Sequence, residues 1–333
     1  MTSDWPRVQL HVVTGKGGTG KSTVAAALAL GLASHGKNVL LCEVEGRQGV
    51  ARMFDVDPLP YAETRIATGL RHDDHPPGGV YALHIDPEAA LLEYLRMYYK
   101  LGPAGRALDR FGVIEFATTI APGVRDVLLT GKVFEAVQRN SRNRGARQYD
   151  AVVLDAPPTG RITAFLNVSE SVAGLAKVGP IKHQADTMMT LFRSPRTAVH
   201  LVTLLEEMPV QETADAIAEL KAARLPVGGV VVNQVRPRDL PDEALEAART
   251  GTLDRTAVEQ DLKRAGVEAG EEFVDTLLDE AREYAERRAL EDEQREVVGG
   301  LGVPTYELER LAAGIDLGSL YELAECLKEQ HLA

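Results

Sequence analysis

Residues 8–23 read Val-Gln-Leu-His-Val-Val-Thr-Gly-Lys-Gly-Gly-Thr-Gly-Lys-Ser-Thr. Val8, Leu10, Val12 and Val13 predict a buried strand over Val8 to Val13. It leads directly into a glycine-rich turn, and a helix-forming run from Val24 to Ala33 follows, ending at His35-Gly36. Strand, glycine-rich loop and helix in that order is the setting of a Walker A phosphate loop. The spacing G-x-x-x-x-G-K-S is met by Gly15, Gly20, Lys21 and Ser22. Glycines let successive backbone N–H groups curl around an anion, and the start of the helix adds partial positive charge. The whole run Gly15, Lys16, Gly17, Gly18, Thr19, Gly20, Lys21, Ser22 and Thr23 is therefore expected to cradle phosphates. Lys21 is expected to reach the β- and γ-phosphates and Ser22 to coordinate Mg²⁺.

A second stretch supports the first. Ala151 to Leu154 is a continuous apolar strand closed by Asp155, the pattern of a Walker B motif. A carboxylate at the end of a buried strand beside a phosphate loop can serve the Mg²⁺ shell. The chain continues as Ala156-Pro157-Pro158-Thr159-Gly160-Arg161, a tight loop suited to sensing a γ-phosphate. Between these motifs, Asn38 to Val44 reads as a strand ending near Glu43 and Glu45. Ligands of open parallel sheets sit beyond the carboxyl ends of strands, so both carboxylates are expected near the phosphates.

The rest of the chain alternates in the same way. Residues 61–79 are polar and turn-rich, and His72, Asp73, Asp74 and His75 there read as a solvated loop rather than a metal site. Val80 to Ile85 is a strand, and Asp86-Pro87-Glu88 opens a helix. Further helices are expected over Phe111–Ala117 and Val124–Arg139, and residues 168–193 read as helical with a break at 179–180. Strands are expected at Ala198–Thr203, Gly229–Val232 and Val303–Leu308, with helices at Pro209–Arg224 and Leu317–Leu327. We read one domain, residues 1–333, with helical insertions at about 87–147 and 236–298. The second insertion is rich in charge and predicts two or three exposed helices.

Composition sets limits. The 333 residues carry a net charge of −12, which argues against a general nucleic-acid surface. A hydrophobic fraction of 44% is enough for a sizeable core. No apolar run approaches the roughly 18–20 residues of a membrane span. Cys42 and Cys326 are far apart and suggest no disulfide framework, which fits a cytoplasmic setting.

Lys16 directly follows the first glycine, and a lysine there resembles the deviant Walker A loop of the ParA, MinD, nitrogenase iron protein and ArsA/GET ATPases. Asp-Ala-Pro-Pro-Thr-Gly-Arg at 155–161 is close to the ArsA/GET switch II, Asp-Thr-Ala-Pro-Thr-Gly-His. Val-Val-Asn-Gln at 231–234 resembles the segment whose asparagine binds adenine, which falls on Asn233. Gly-Val-Pro at 302–304 is similar to a later loop flanking the base, which falls on Pro304. The pattern resembles the single-copy actinobacterial members, which tend to occur as two paralogues.

The resemblance implies an α/β P-loop NTPase with a mostly parallel, helix-flanked sheet and a helical insertion subdomain. It implies an ATPase binding ATP or ADP with Mg²⁺ held by Ser22 and Asp155. Lys16, Lys21, Glu45 and Asp155 would carry the catalysis, with Lys16 reaching the nucleotide of a facing subunit. The partner would be a second copy or a related paralogue, and the client an apolar protein segment. A ParA/MinD-like regulatory or partner-assembly ATPase is the alternative. There are departures. The family's Asp-Pro-Ala-His in switch I is replaced by Glu45-Gly46-Arg47-Gln48. Residues 234–298 lack the C-x-x-C pair that joins subunits of targeting relatives through zinc, and no cysteine cluster is available for arsenite.

Overall fold

The computed structural model describes residues 3–45, 48–71, 76–99, 124–139, 146–168, 180–312 and 314–333. The expected helix Phe111–Ala117, the residues 169–179 and the polar cluster His72 to His75 lie outside the described residues.

The strands are β1 (Leu10–Gly15), β2 (Val39–Glu43), β3 (Thr64–Thr68), β4 (Gly79–His84), β5 (Ala151–Asp155), β6 (Thr197–Thr203), β7 (Val227–Val235) and β8 (Thr305–Glu309). They form one sheet in the order β3-β4-β2-β5-β1-β6-β7-β8. Every pairing is parallel except β3 against β4. β1, β2, β5 and β6 are buried along their whole length, as strands covered on both faces must be. The described helices are α1 (Lys21–Ser34), α2 (Gly49–Met53), α3 (Pro87–Tyr99), α4 (Val124–Gln138), α5 (Thr159–Leu166), α6 (Pro180–Phe192), α7 (Glu207–Ala222), α8 (Asp242–Arg249), α9 (Arg255–Arg264), α10 (Glu271–Gly299) and α11 (Leu317–Glu329).

α1 is buried from Val24 to Ser34, because the sheet covers one side and α11 the other. Gly31 is the contact that permits this: a Cβ there would stand 2.6 Å from the Cβ of Ala333. The opposite face of the sheet is covered by α4, α5, α6 and α7 through Leu129, Val133, Phe165, Met188 and Leu220. α4 is therefore a layer packed on the core. The second insertion forms three helices, α8 to α10, and α9 buries none of its residues.

Two further elements differ from expectation. β3 lies in the stretch read as turn-rich, where Thr-Arg-Ile-Ala-Thr is half-buried and owes its strand form to β4. α5 begins inside the motif read as a loop. Gly160 hid it, although Ile162, Phe165 and Leu166 have helical spacing and are buried.

A histidine pair lies in the core. His11 on β1 and His200 on β6 are fully buried, with His11 Nδ1 3.1 Å from His200 Nε2. His200 Nδ1 accepts from the Gly229 N–H at 3.2 Å, so its proton sits on Nε2 and is donated to His11. His11 then carries its own proton on Nε2, which has no partner. Burial holds His200 down at about 3, and burial, His200 and Lys37 together hold His11 well below its ordinary value. Both folded values lie below the unfolded value of about 6.5, so the unfolded chain takes up protons first. Stability is complete above pH 6.5 and falls below it by up to about 1.4 kcal/mol per pH unit for each histidine. Urea midpoints measured from pH 7 to pH 5 should fall accordingly; a flat profile contradicts the assignment.

Candidate functional site

The phosphate-loop residues lie at the carboxyl edge of the sheet, between β1 and α1. Thr19 closes a turn inside the loop: its backbone N–H and its hydroxyl both donate to the Lys16 carbonyl, at 3.3 and 2.9 Å. Gly17 and Gly18 are exposed at the tip. Gly20 has φ +90, the left-handed region that glycine enters freely, and a Cβ there would meet Asn233 Nδ2 at 2.3 Å. Lys21, Ser22 and Thr23 form the first turn of α1. The Thr23 hydroxyl points to Met53 Sδ at 3.7 Å, toward α2.

Asp155 comes to this loop through sheet pairing. β5 lies beside β1, with Val13 opposite Asp155. The Ser22 hydroxyl donates to Asp155 Oδ2 at 2.5 Å, joining residues 133 positions apart. Asp155 is only 6% exposed. Burial pushes its carboxyl up to about 6, with Glu43 and Glu45 adding to the rise while the Ser22 hydroxyl and Lys21 pull it down. Glu45 follows the end of β2 and is half-buried, so its charge reaches the same point. A hydroxyl and carboxylates gathered here are hard oxygen donors, the donor set that suits Mg²⁺. Beyond Asp155, Thr14 on β1 donates to the Pro157 carbonyl at 2.7 Å and ties switch II to the base of the loop.

Asn233 is brought to the site as well. The β7–β8 register slips between Val232 and Val235, and Gln234 takes φ +57, a bulge that re-aims the side chain. Asn233 Nδ2 donates to the Thr19 carbonyl at 2.8 Å. It also lines a cavity of about 640 Å³ together with Leu205, Gln234, Arg236, Leu290 and Arg310, a volume suited to a small ligand.

Pro304 stands directly before β8. Its carbonyl accepts from the Val230 N–H, and Val230 is level with Thr14 at the base of the phosphate loop through Leu201. Arg310, at the far end of β8, is the residue beside Asn233's cavity.

Lys16 stands at the loop surface. Its Nζ lies 2.7 Å from Glu212 Oε1 on α7, with side-chain exposures of 32% and 36%. Glu212 falls within the helix expected over Pro209–Arg224. Its contact spans 196 positions and has no sequence signal. Gln48 was also missed as a structural residue: its amide pairs with both backbone groups of Leu59, at 2.8 and 3.1 Å.

Comparison with known proteins agrees with this geometry. Residues 8–195 match the family model described as anion-transporting ATPase. The chain is 53% identical to ATPase BagA of Mycobacterium tuberculosis H37Rv, over 98% of this chain and 95% of that protein. It is 30% identical to an arsenical pump-driving ATPase of Escherichia coli over 67% of this chain and 34% of that protein. It is 24% identical to ATPase get3 of Schizosaccharomyces japonicus, over 67% of this chain and 73% of that protein. Among the described residues no helix is long and apolar enough to cross a membrane. With its phosphate loop, its paired Ser22 and Asp155 and these relatives, the chain belongs to the anion-transporting, or ArsA/GET, ATPase family and is an ATP-hydrolysing enzyme.

Proposed function

We propose that this ATPase, read as a single domain over residues 1–333, works as a nucleotide-gated switch between two facing subunits. Lys21 neutralises charge on the phosphates of its own nucleotide, and Lys16 on those of the nucleotide across the interface. Gly15, Gly17, Gly18, Thr19, Gly20 and Thr23 shape the loop around the phosphates, and Asn233 binds the base. Ser22 and Asp155 would hold Mg²⁺, which would screen the β- and γ-phosphate oxygens. Glu45 places the attacking water.

The observation that carries the two-subunit reading is Lys16. It occupies a loop that needs no second lysine to hold its own phosphates, and its ammonium stands at the surface in a half-exposed pair with Glu212. Such a pair contributes at most about 1 kcal/mol and exchanges readily. One chain carries one phosphate loop, so the facing loop must come from another copy or from a related paralogue.

Switch II offers the output. Thr14 holds Pro157, α5 starts two residues later, and Arg161 Nη2 lies 3.4 Å from Asp126 Oδ1 on α4. A γ-phosphate that shifts residues 155–161 therefore pulls on the helical layer through this ion pair. That layer would present the surface for an apolar protein client. One observation favours the alternative of a regulatory or partner-assembly ATPase: α9 and most of α8 and α10 present charged residues outward.

Light scattering tests the switch. With Mg²⁺ and a non-hydrolysable ATP analogue the mass should double, alone or after mixing with the paralogue; with ADP it should return to that of one chain. One chain's mass in every nucleotide state, with and without the paralogue, overturns the proposal.

A further inference from the structure

Glu43 is the last residue of β2 and only 3% exposed. In the sheet it lies between Asp155 on one side and His84 on the other. A carboxylate so placed needs partners to offset its lost hydration. Among the described residues, no lysine or arginine pairs with it. Its Oε1 accepts from the Gly49 N–H at 2.7 Å, and its Oε2 lies 3.3 Å from His84 Nδ1. Gly49 is the residue at which the loop after β2 ends and α2 begins. Glu43 is the residue at which that loop starts. One side chain thus links the two ends of the segment that carries Glu45.

A second clamp acts at the same end. Gln48 precedes Gly49 and has φ +52, a left-handed conformation that costs a non-glycine residue of order 1 kcal/mol. Strain of this kind persists only where the surroundings over-determine it. Here they do: the Gln48 amide donates to the Leu59 carbonyl and accepts from the Leu59 N–H. The loop end is held by a buried carboxylate from one side and by a two-bond amide clamp from the other.

We propose that Glu43 is a positioning residue for hydrolysis, fixing the loop after β2 so that Glu45 faces the phosphate loop. It acts through Gly49 and touches no nucleotide. The inference rests on the role given to Glu45 above. A displacement of a water-placing group by about 1 Å costs up to a hundredfold in rate, so a device that holds the loop has a measurable effect on turnover.

The test compares Glu43→Ala, Glu43→Gln, Glu45→Gln and the double variant Glu43→Ala/Glu45→Gln. Glu43→Ala should lower kcat by about ten- to a hundredfold, with the Kd for ATP changed by less than about threefold. Glu43→Gln keeps an oxygen that accepts from Gly49 and should retain at least about a third of the rate. The double variant should be no slower than Glu45→Gln alone, because the first change acts through the second residue. Wild-type kcat in Glu43→Ala, equal losses in Glu43→Gln and Glu43→Ala, or additive losses in the double variant would each overturn the proposal. Should Glu43→Ala not fold, Gln48→Ala frees the same loop end without disturbing the buried carboxylate. It must then lower kcat at unchanged Kd and combine non-additively with Glu45→Gln, and a normal rate overturns the proposal. Glu45→Gln at the wild-type rate overturns the role of Glu45 itself. A slow Glu45→Gln beside a fast Glu43→Ala overturns only the role of Glu43.

Discussion

Lys21→Ala is expected to abolish tight Mg·ATP binding while leaving the fold intact. Lys21 opens α1, whose buried face begins at Val24, so truncating it removes no core contact. In the proposed mechanism its ammonium meets the β- and γ-phosphates, and charge-assisted hydrogen bonds to an anion contribute about 1.5–3 kcal/mol each. Losing two raises Kd by at least about two orders of magnitude. Asp155 then also loses a nearby positive charge that offsets its burial, which weakens the same end of the site. Titration calorimetry measures the affinity, and thermal unfolding without nucleotide checks the fold. Unchanged affinity in a folded Lys21→Ala removes the assignment of this loop to the phosphates.

Lys16→Ala has the second large effect, and it separates binding from turnover. The pair that Lys16 makes with Glu212 is half-exposed. Removing it should cost less than about 1 kcal/mol of stability. Nucleotide affinity of the single chain should hold, because Lys21 and the loop's backbone remain. Two nucleotides facing each other across an interface repel, and cations from both sides are needed to bring them together. A cation supplied in trans to a transferring phosphoryl group raises turnover by about 10³–10⁵. Hydrolysis by Lys16→Ala should therefore fall by about a thousandfold, and the ATP-dependent increase in mass should vanish. The measurements are turnover and light-scattering mass for wild type and variant, each alone and mixed with the paralogue. Full activity from a strict monomer, or an undiminished rate in Lys16→Ala, would remove the two-subunit mechanism.

The contact between Lys16 and Glu212 gives this prediction a concrete starting point. In the single chain the lysine is held by its own α7, 2.7 Å from a carboxylate. To act across an interface it must leave that carboxylate for a phosphate. Half-exposed pairs of this kind are screened by salt, so the exchange costs little and association should respond to ionic strength.

Much of the fold was written in short stretches of the chain. A buried strand, a glycine turn and an all-apolar helix can adopt only a few local geometries, so Val8 to Ala33 determined a phosphate loop without help from elsewhere. The apolar run Ala151 to Leu154 likewise determined a strand buried on both faces, hence a parallel sheet with helices on either side. These are local properties: side-chain period, backbone freedom and the charge at a strand's end. Even Asn233 could be placed at a carboxyl edge, because the apolar run before it gave the strand's direction.

What brings residues together across the sheet was decided only by tertiary structure. Strand order set Asp155 beside Ser22, and a bulge turned Asn233 into the loop. α7 delivered Glu212 to Lys16, and β4 delivered His84 to Glu43. β3 became a strand because an edge was there to pair with, not because Thr64 to Thr68 alternate. The physical reason is one of range. Period and propensity act over a few residues, whereas pairing, register and which end of a strand meets a ligand depend on partners tens to hundreds of positions away.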